Sequence, residues 1–236
     1  AGLKVGVLAV DPSSPLSGGA FLGDRLRIQE HAMDPGVFIR SLATRGMVGG
    51  VSHTIFAAIH VLEAWGCHKI IVETVGTGQD EVVIAHVADT VAYVTTPTMG
   101  DEIQAMKAGI MEIADIFVVN KADLSGKDKA ISDLKAALGL AENRDPKGWA
   151  TPVLGTSAMT GEGVSELVET LGRHALHLKT SGEGRARLKA QHREEVSLYV
   201  SRRIYQDALS QLDRHLDDLV DHRTDPTTLA AQLLNK

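Results

Sequence analysis

The sequence predicts a doubly wound α/β fold, a mainly parallel sheet with helices on both faces, followed by a C-terminal helical arm. Three observations predict it. Short apolar runs alternate with helical patterns up to about residue 172. Most of these runs are apolar at nearly every position, as in strands covered on both faces. Beyond residue 184 the pattern becomes one long, heavily charged helix with a narrow apolar stripe.

The first run, LKVGVLAV (3–10), is followed by the loop DPSSPLSGGAFLGD (11–24) and the helical stretch DRLRIQEHAM (24–33). VFIRSLA (37–43) is the second strand. In GGVSHTIFAAIHVLEAWG (49–66), Val51, Ile55, Ala58, Leu62 and Trp65 recur four and three apart, which puts them on one buried helix face. KIIVETV (69–75) and TVAYVTT (90–96) are strands separated by QDEVVIAHVA (79–88), whose leading acids favour a helix N-terminus. GDEIQAMKAGIMEIA (100–114) opens in the same way and leads into the strand DIFVVN (115–120). PVLGTSA (152–158) is the last strand, and GEGVSELVETLG (161–172) a helix with Gly172 as its expected C-terminal cap. After HLKTSGEG (177–184), Val196, Val200, Ile204, Ala208, Leu212 and Leu216 stand four apart in a helix expected from about Arg185 to Val220. A short helix is expected over 226–235, after the Asp225-Pro226 break. So narrow a stripe cannot be buried by its own helix, so the arm is expected to pack on the core or on another subunit.

A chain of 236 residues is long enough for one α/β domain and such an extension. Its net charge of -6 excludes a global basic surface for nucleic acid or membrane. Cys67 is the single cysteine, which excludes an internal disulfide and a multi-cysteine metal site and fits a reducing compartment. No uninterrupted apolar run approaches membrane-spanning length and no charged-then-apolar leader opens the sequence, so the expected location is the cytoplasm or an organelle matrix. His53 and His60, and His174 and His177, lack an acidic or thiol third ligand at sensible spacing and read as solvated or core histidines.

Chemistry concentrates at strand ends. Asn120-Lys121-Ala122-Asp123 closes the DIFVVN strand, at the carboxyl edge where open α/β sheets bind ligands. An ionised Asp123 can accept two hydrogen bonds, from the N1–H and the exocyclic amine of guanine, and adenine offers neither pattern. The Lys121 stem can lie over the base, and Asn120 can tie neighbouring loops. Ser157, Ala158 and Met159 follow another strand, where backbone N–H groups could meet guanine O6. This strand context favours a guanine-nucleotide site over a chance motif.

Two further stretches stay open on residues alone. In VETVGTGQ (72–79), Glu73 can hold Mg²⁺ through water and Gly76 lets a backbone N–H approach a γ-phosphate; a buried Glu before a flexible turn fits as well. In the 11–24 loop, Asp11 and Asp24 with Gly18, Gly19 and Gly23 suit a switch ordering around that phosphate; equally, Asp24 can cap the following helix.

AVDPSSPLSGGAFLGDRLR, IIVETVGTGQDE, PTMGDEIQAMKAGIMEIAD and VVNKADL, in this order and spacing, resemble the MeaB/ArgK family. These are P-loop GTPases that act as chaperones of adenosylcobalamin-dependent acyl-CoA mutases, methylmalonyl-CoA mutase above all; an older family label is lysine/arginine/ornithine transport kinase. The resemblance is close over roughly 1–172 and looser in the tail, where the family has a dimerisation arm. It implies a GTPase domain over 1–173 and a linker with a homodimerising helical arm over 174–236. It also implies Asp11, Asp24 and Glu73 around Mg²⁺ and the switches, and Gly76 at the γ-phosphate of GTP. Asn120, Lys121, Asp123, Ser157, Ala158 and Met159 would be the guanine contacts. Thr96 to Lys107 would be a third switch, with Asp101, Gln104 and Lys107 coupling nucleotide state to the mutase. Thr98-Met99, where small residues are expected, depart from the pattern and bear on partner preference.

The family's phosphate loop ends in Gly-Lys-Ser/Thr, and no GxxxxGK[ST] occurs in these residues. The expectation is a chain truncated before that loop, with apolar surface bared beside the Val5–Val10 strand, that binds GTP or GDP weakly or not at all. The intact protein is expected to hydrolyse Mg-GTP and gate cofactor loading and protection of the mutase. The alternative is a catalytically dead module of the same family that only dimerises and contacts the mutase. A nickel-insertion GTPase would need a Cys/His metal site, for which Cys67 alone does not suffice, and nothing suggests the amino-acid or protein-substrate pocket of a transport kinase.

Overall fold

The computed structural model describes residues 2–12, 31, 34–44, 53–74, 86–97, 108–140 and 148–234. Strands form where the apolar runs lie: β1 (Val5–Pro12), β2 (Val37–Thr44), β3 (Lys69–Thr74), β4 (Ala92–Thr95), β5 (Ile116–Val119) and β6 (Val153–Gly155). They build two three-stranded sheets, in the orders β2-β1-β3 and β4-β5-β6, and every ladder is parallel. β1 is central in its sheet, Val7 standing opposite Ile39 on one side and Ile71 on the other. The expectation of a bare edge beside Val5–Val10 therefore fails, because both edges of that strand are already paired.

Among the described residues the helices are α1 (His53–Ala64), α2 (Ala108–Ile113), α3 (Lys127–Leu140), α4 (Val164–Ser181), α5 (Glu183–Leu212), α6 (Leu216–Val220) and α7 (Pro226–Leu234). α1 buries Ile55 and Leu62. Gly6 makes its approach to β1 possible, since a Cβ there would lie 2.6 Å from Leu62 Cδ1. Val51 lies outside the described residues. Trp65, expected on the buried face, is 41% exposed. It sits just past the end of α1, where helical periodicity no longer applies; its ring meets Phe38 at 6.2 Å and Lys4 Nζ at 4.6 Å.

β5 is buried at all four positions. Phe117 and Val119 pack with Ala114 and with Ala130 and Leu134 of α3; Ile116 and Val118 pack with Leu154, against Leu167 and Leu171 of α4. Helices thus cover both faces of one parallel strand, the doubly wound arrangement. α3 was not anticipated, because among its residues only Ala130 and Leu134 are deeply buried and five of the 14 are charged.

α4 does not stop at Gly172. It runs to Ser181 and ends on Gly182, whose φ of 80° is the left-handed cap conformation. A glycine within a helix costs about 1 kcal/mol relative to alanine, but the buried face of Thr170, His174 and Leu178 carries the helix through it. The chain separates into two compact units, Ala1–Ala190 and Gln191–Lys236. The long charged helix breaks after Leu212 into a 3₁₀ turn at Asp213–His215, earlier than its periodicity suggests. In the second unit Asp225 caps α7: its Oδ1 accepts from the Thr227 and Thr228 N–H groups, each at 3.0 Å, with Pro226 in the first turn. Among the described residues no helix is long and apolar enough to cross a membrane.

Asp115, just before β5, organises a second polar centre in the first unit. Its carboxylate takes a two-pronged contact from Arg187 of α5 at 2.7 and 2.9 Å and accepts from Val91 N–H at 2.8 Å. Its carbonyl accepts from Trp149 Nε1–H at 2.9 Å. His174 is 1% exposed, with Nδ1 2.8 Å from Thr90 Oγ1 and Nε2 3.4 Å from Asp115 Oδ1. Burial, reinforced by the Arg187 and His177 charges, lowers the His174 pKa below the ordinary 6.5, although Asp115 pulls the other way.

Removing one partner of a buried pair costs on the order of 3–5 kcal/mol, and the partial exposure of Arg187 places Arg187→Met at or below the lower end of that range, read as a shift in the urea midpoint. Because the folded-state pKa of His174 is depressed, the unfolded chain takes up this proton first. Its contribution is complete above pH 6.5 and declines as pH falls through the folded-state pKa. Thermal midpoints should therefore fall between about pH 7 and pH 5, with a flatter profile in His174→Asn.

Candidate functional site

The carboxyl end of β5 turns sharply. Asn120 N–H donates to Thr95 O at 2.8 Å, Ala122 N–H to Thr156 O at 2.9 Å, and Leu124 N–H to Lys121 O at 2.9 Å. These bonds fix the turn between the ends of β4 and β6, with Lys121 at a φ of 58°. Asn120 and Asp123 are thereby held on a frame of backbone hydrogen bonds.

The loop from β6 to α4 forms the facing wall. Ser157 N–H donates to Glu162 O at 2.9 Å, Gly161 N–H to Ser157 O at 2.8 Å, and Thr160 N–H to Ser157 Oγ at 3.3 Å. Gly163 closes this loop with φ 72°, and a Cβ there would stand 2.1 Å from Gly155 O. Asn120 Oδ1 joins turn and loop by accepting from Ala158 N–H at 3.2 Å and Thr156 Oγ1–H at 3.3 Å.

Ser157 is fully buried beneath this rim, while Lys121, Asp123, Ala158 and Met159 are exposed on it. A hydrogen bond from the Ser157 side chain, with smaller help from the backbone and the Lys121 charge, lowers the Asp123 pKa below its ordinary value. Asp123 is thus an ionised acceptor near neutral pH, beside the exposed Ala158–Met159 segment of the loop. Such an acceptor pair complements a planar edge that carries two adjacent donors.

The structure brings Asn120, Lys121, Asp123, Ser157 and Ala158 together; Met159 follows on the same loop, 89% exposed. Glu73 lies exposed near the carboxyl end of β3, opposite Ala9 of β1, and the Asp11 backbone lies two positions further along β1, at the same edge of that sheet. The Glu73 carboxylate is of the kind that suits Mg²⁺, which prefers oxygen donors and retained water. Asp24, Gly76, Asp101, Gln104 and Lys107 lie outside the described residues, as does most of the 96–107 segment. Sequence reasoning missed Gly163 and the Lys127–Glu162 contact; the Gly-Glu-Gly at 161–163, directly after Ser-Ala-Met-Thr, was the available signal.

Parallel strands flanked by helices, with an exposed acceptor rim at one strand's carboxyl end, define the nucleotide-binding α/β class. The family described as methylmalonyl Co-A mutase-associated GTPase MeaB matches residues 1–213, and the chain belongs to it. "Putative GTPase PH0274" of Pyrococcus horikoshii is 46% identical, over 100% of this chain and 75% of its own length. "Probable GTPase Rv1496" of Mycobacterium tuberculosis is 42% identical over 80% of this chain. The mouse "Methylmalonic aciduria type A homolog, mitochondrial" is 37% identical over 81%. The chain spans only 57% and 47% of the lengths of these last two. A solved structure described as an LAO/AO transport system kinase superposes with a TM-score of 0.64 at 27% identity, covering 98% of this chain and 71% of that one.

Gly163→Ala should destabilise by more than the ~1–2 kcal/mol of a left-handed alanine alone, because its methyl would also collide with the Gly155 carbonyl. The check is a denaturant midpoint, accompanied by faster amide exchange at Ser157 and Gly161.

Proposed function

We propose that this protein acts as a GTP-binding and GTP-hydrolysing chaperone of an adenosylcobalamin-dependent acyl-CoA mutase of the methylmalonyl-CoA mutase type. The observation that carries the guanine reading is the Asn120–Asp123 turn, hydrogen-bonded to the Thr156–Ala158 loop with an ionised Asp123 at its rim. Asp123 would take the N1–H and amine of guanine, the backbone of the Ser157–Met159 stretch would face O6, and the Lys121 stem would cover the ring. Membership of a mutase-associated family supports the partner.

In this reading Asp11, Asp24 and Glu73 hold Mg²⁺, largely through water, and Gly76 approaches the γ-phosphate. The ion would neutralise charge on the phosphates. Hydrolysis by an in-line water needs positioning and charge more than a general base, because the transition state is loose. Asp101, Gln104 and Lys107 would pass the nucleotide state to the mutase and so gate its cofactor. The exposed Val196, Val200 and Ile204 of α5 would form the seam of a homodimer, in the cytoplasm or an organelle matrix.

Without a Gly-Lys-Ser/Thr phosphate loop in these 236 residues, base contacts carry most of the nucleotide affinity. Titration of the ¹⁵N-labelled chain with millimolar GDP should shift the amides of Lys121, Asp123 and Ala158, while ADP leaves them in place. An equal response to both nucleotides would sink the guanine reading, and low-micromolar GDP affinity by calorimetry would contradict the weak binding expected. Hydrogen bonds to charged groups contribute about 1.5–3 kcal/mol, so Asp123→Asn should weaken GDP binding roughly tenfold or more.

A further inference from the structure

Side-chain ties hold the β6–α4 loop against the Asn120–Asp123 turn. Asn120 and the Ser157–Asp123 bond supply some. Lys127 supplies another, its Nζ donating to Glu162 Oε1 at 2.8 Å. Lys127 opens α3, four residues after Asp123, and its stem crosses Gly155, so that a Cβ at Gly155 would lie 2.9 Å from Lys127 Cε. Glu162 belongs to the loop's own frame: its carbonyl accepts from Ser157 N–H at 2.9 Å, and its N–H donates to Thr160 Oγ1 at 3.3 Å. The residue held by Lys127 is therefore bonded directly to Ser157, whose hydroxyl bonds Asp123 and whose successors Ala158 and Met159 form the exposed part of the loop.

We propose that Lys127 and Glu162 are a positioning pair that fixes the spacing between Asp123 and the exposed Ala158–Met159 segment, so that one 6-oxopurine can meet both. The inference deepens the guanine-nucleotide reading above and rests on it. Neither side chain contacts the base. Their charges attract across the loop, which strengthens the hydrogen bond and raises the Lys127 pKa through Glu162. The two side chains are 30% and 57% exposed, so the pair is modest in strength and open to screening by salt.

The test compares GDP, IDP and ADP binding to the full chain by amide-shift titration. IDP keeps the 6-oxo group and N1–H of GDP but lacks its exocyclic amine. Lys127→Met and Glu162→Gln should each weaken GDP and IDP together, by roughly 2–5-fold as befits a part-exposed ion pair, leaving the GDP-to-IDP ratio unchanged. Asp123→Asn, by contrast, should change that ratio. The exchanged pair, Lys127→Glu with Glu162→Lys, should restore binding to within about twofold, and raising NaCl to about 1 M should narrow the gap between wild type and single variants. Unchanged GDP affinity in both single variants, a loss that the exchanged pair fails to restore, or an altered GDP-to-IDP ratio would overturn the pair's role. If the wild-type chain does not favour GDP over ADP, the guanine reading itself falls; if it does and the variants match it, only the positioning pair falls.

Discussion

The burial of β5 on both faces is the constraint from which the remainder follows. A strand whose alternate side chains enter two separate apolar layers cannot slip by a residue without exchanging those layers. Ile116–Val119 is thus fixed in register against β4 and β6. Its neighbours at each end inherit that precision: Asp115 before it, Asn120 after it. One end carries a buried ionic centre, the other a solvent-facing acceptor rim. Polar groups of opposite use are separated by a short apolar rod that neither wets nor shifts.

At the acceptor end, the division of labour is physical. Backbone hydrogen bonds from Asn120, Ala122 and Thr156 set the turn; side-chain bonds from Asn120 and Lys127 hold the loop; under the guanine reading proposed above, Asp123 would then stand where it can read an edge. Specificity of this kind depends on placement more than on bond strength, because an acceptor displaced by an ångström accepts poorly from rigid donors. At the opposite end, Arg187, His174 and Trp149 satisfy Asp115 with contacts from α4, α5 and the segment before β6, so that burial of its charge is compensated within the first unit.

Much of this was legible in the sequence. All six apolar runs are strands, and the one buried at every position is β5; Phe38, Ile71 and Val94 leave one face of β2, β3 and β4 exposed among the described residues. The Asn120–Asp123 motif was readable because its residues are consecutive and follow one of those runs. What escaped depends on relations across the chain. α3 was missed because Ala130 and Leu134 are its deeply buried residues among many charges. Gly172 suggested a helix end, yet the choice between stopping and continuing lay with His174 and Leu178, whose burial is a tertiary fact. Trp65 was placed inside by a periodicity that ended one residue earlier. The Lys127–Glu162 contact spans 35 residues, and no local pattern announces it.

Lys121 occupies a backbone region that glycine or asparagine enters with little penalty and that costs other residues about 1–3 kcal/mol. The turn therefore retains a side chain against its own conformational preference. A protein selected for stability alone would relieve that strain with the smaller residue. Keeping four methylenes and an ammonium there leaves a long charged arm exposed at the rim, at a cost to the turn's own stability.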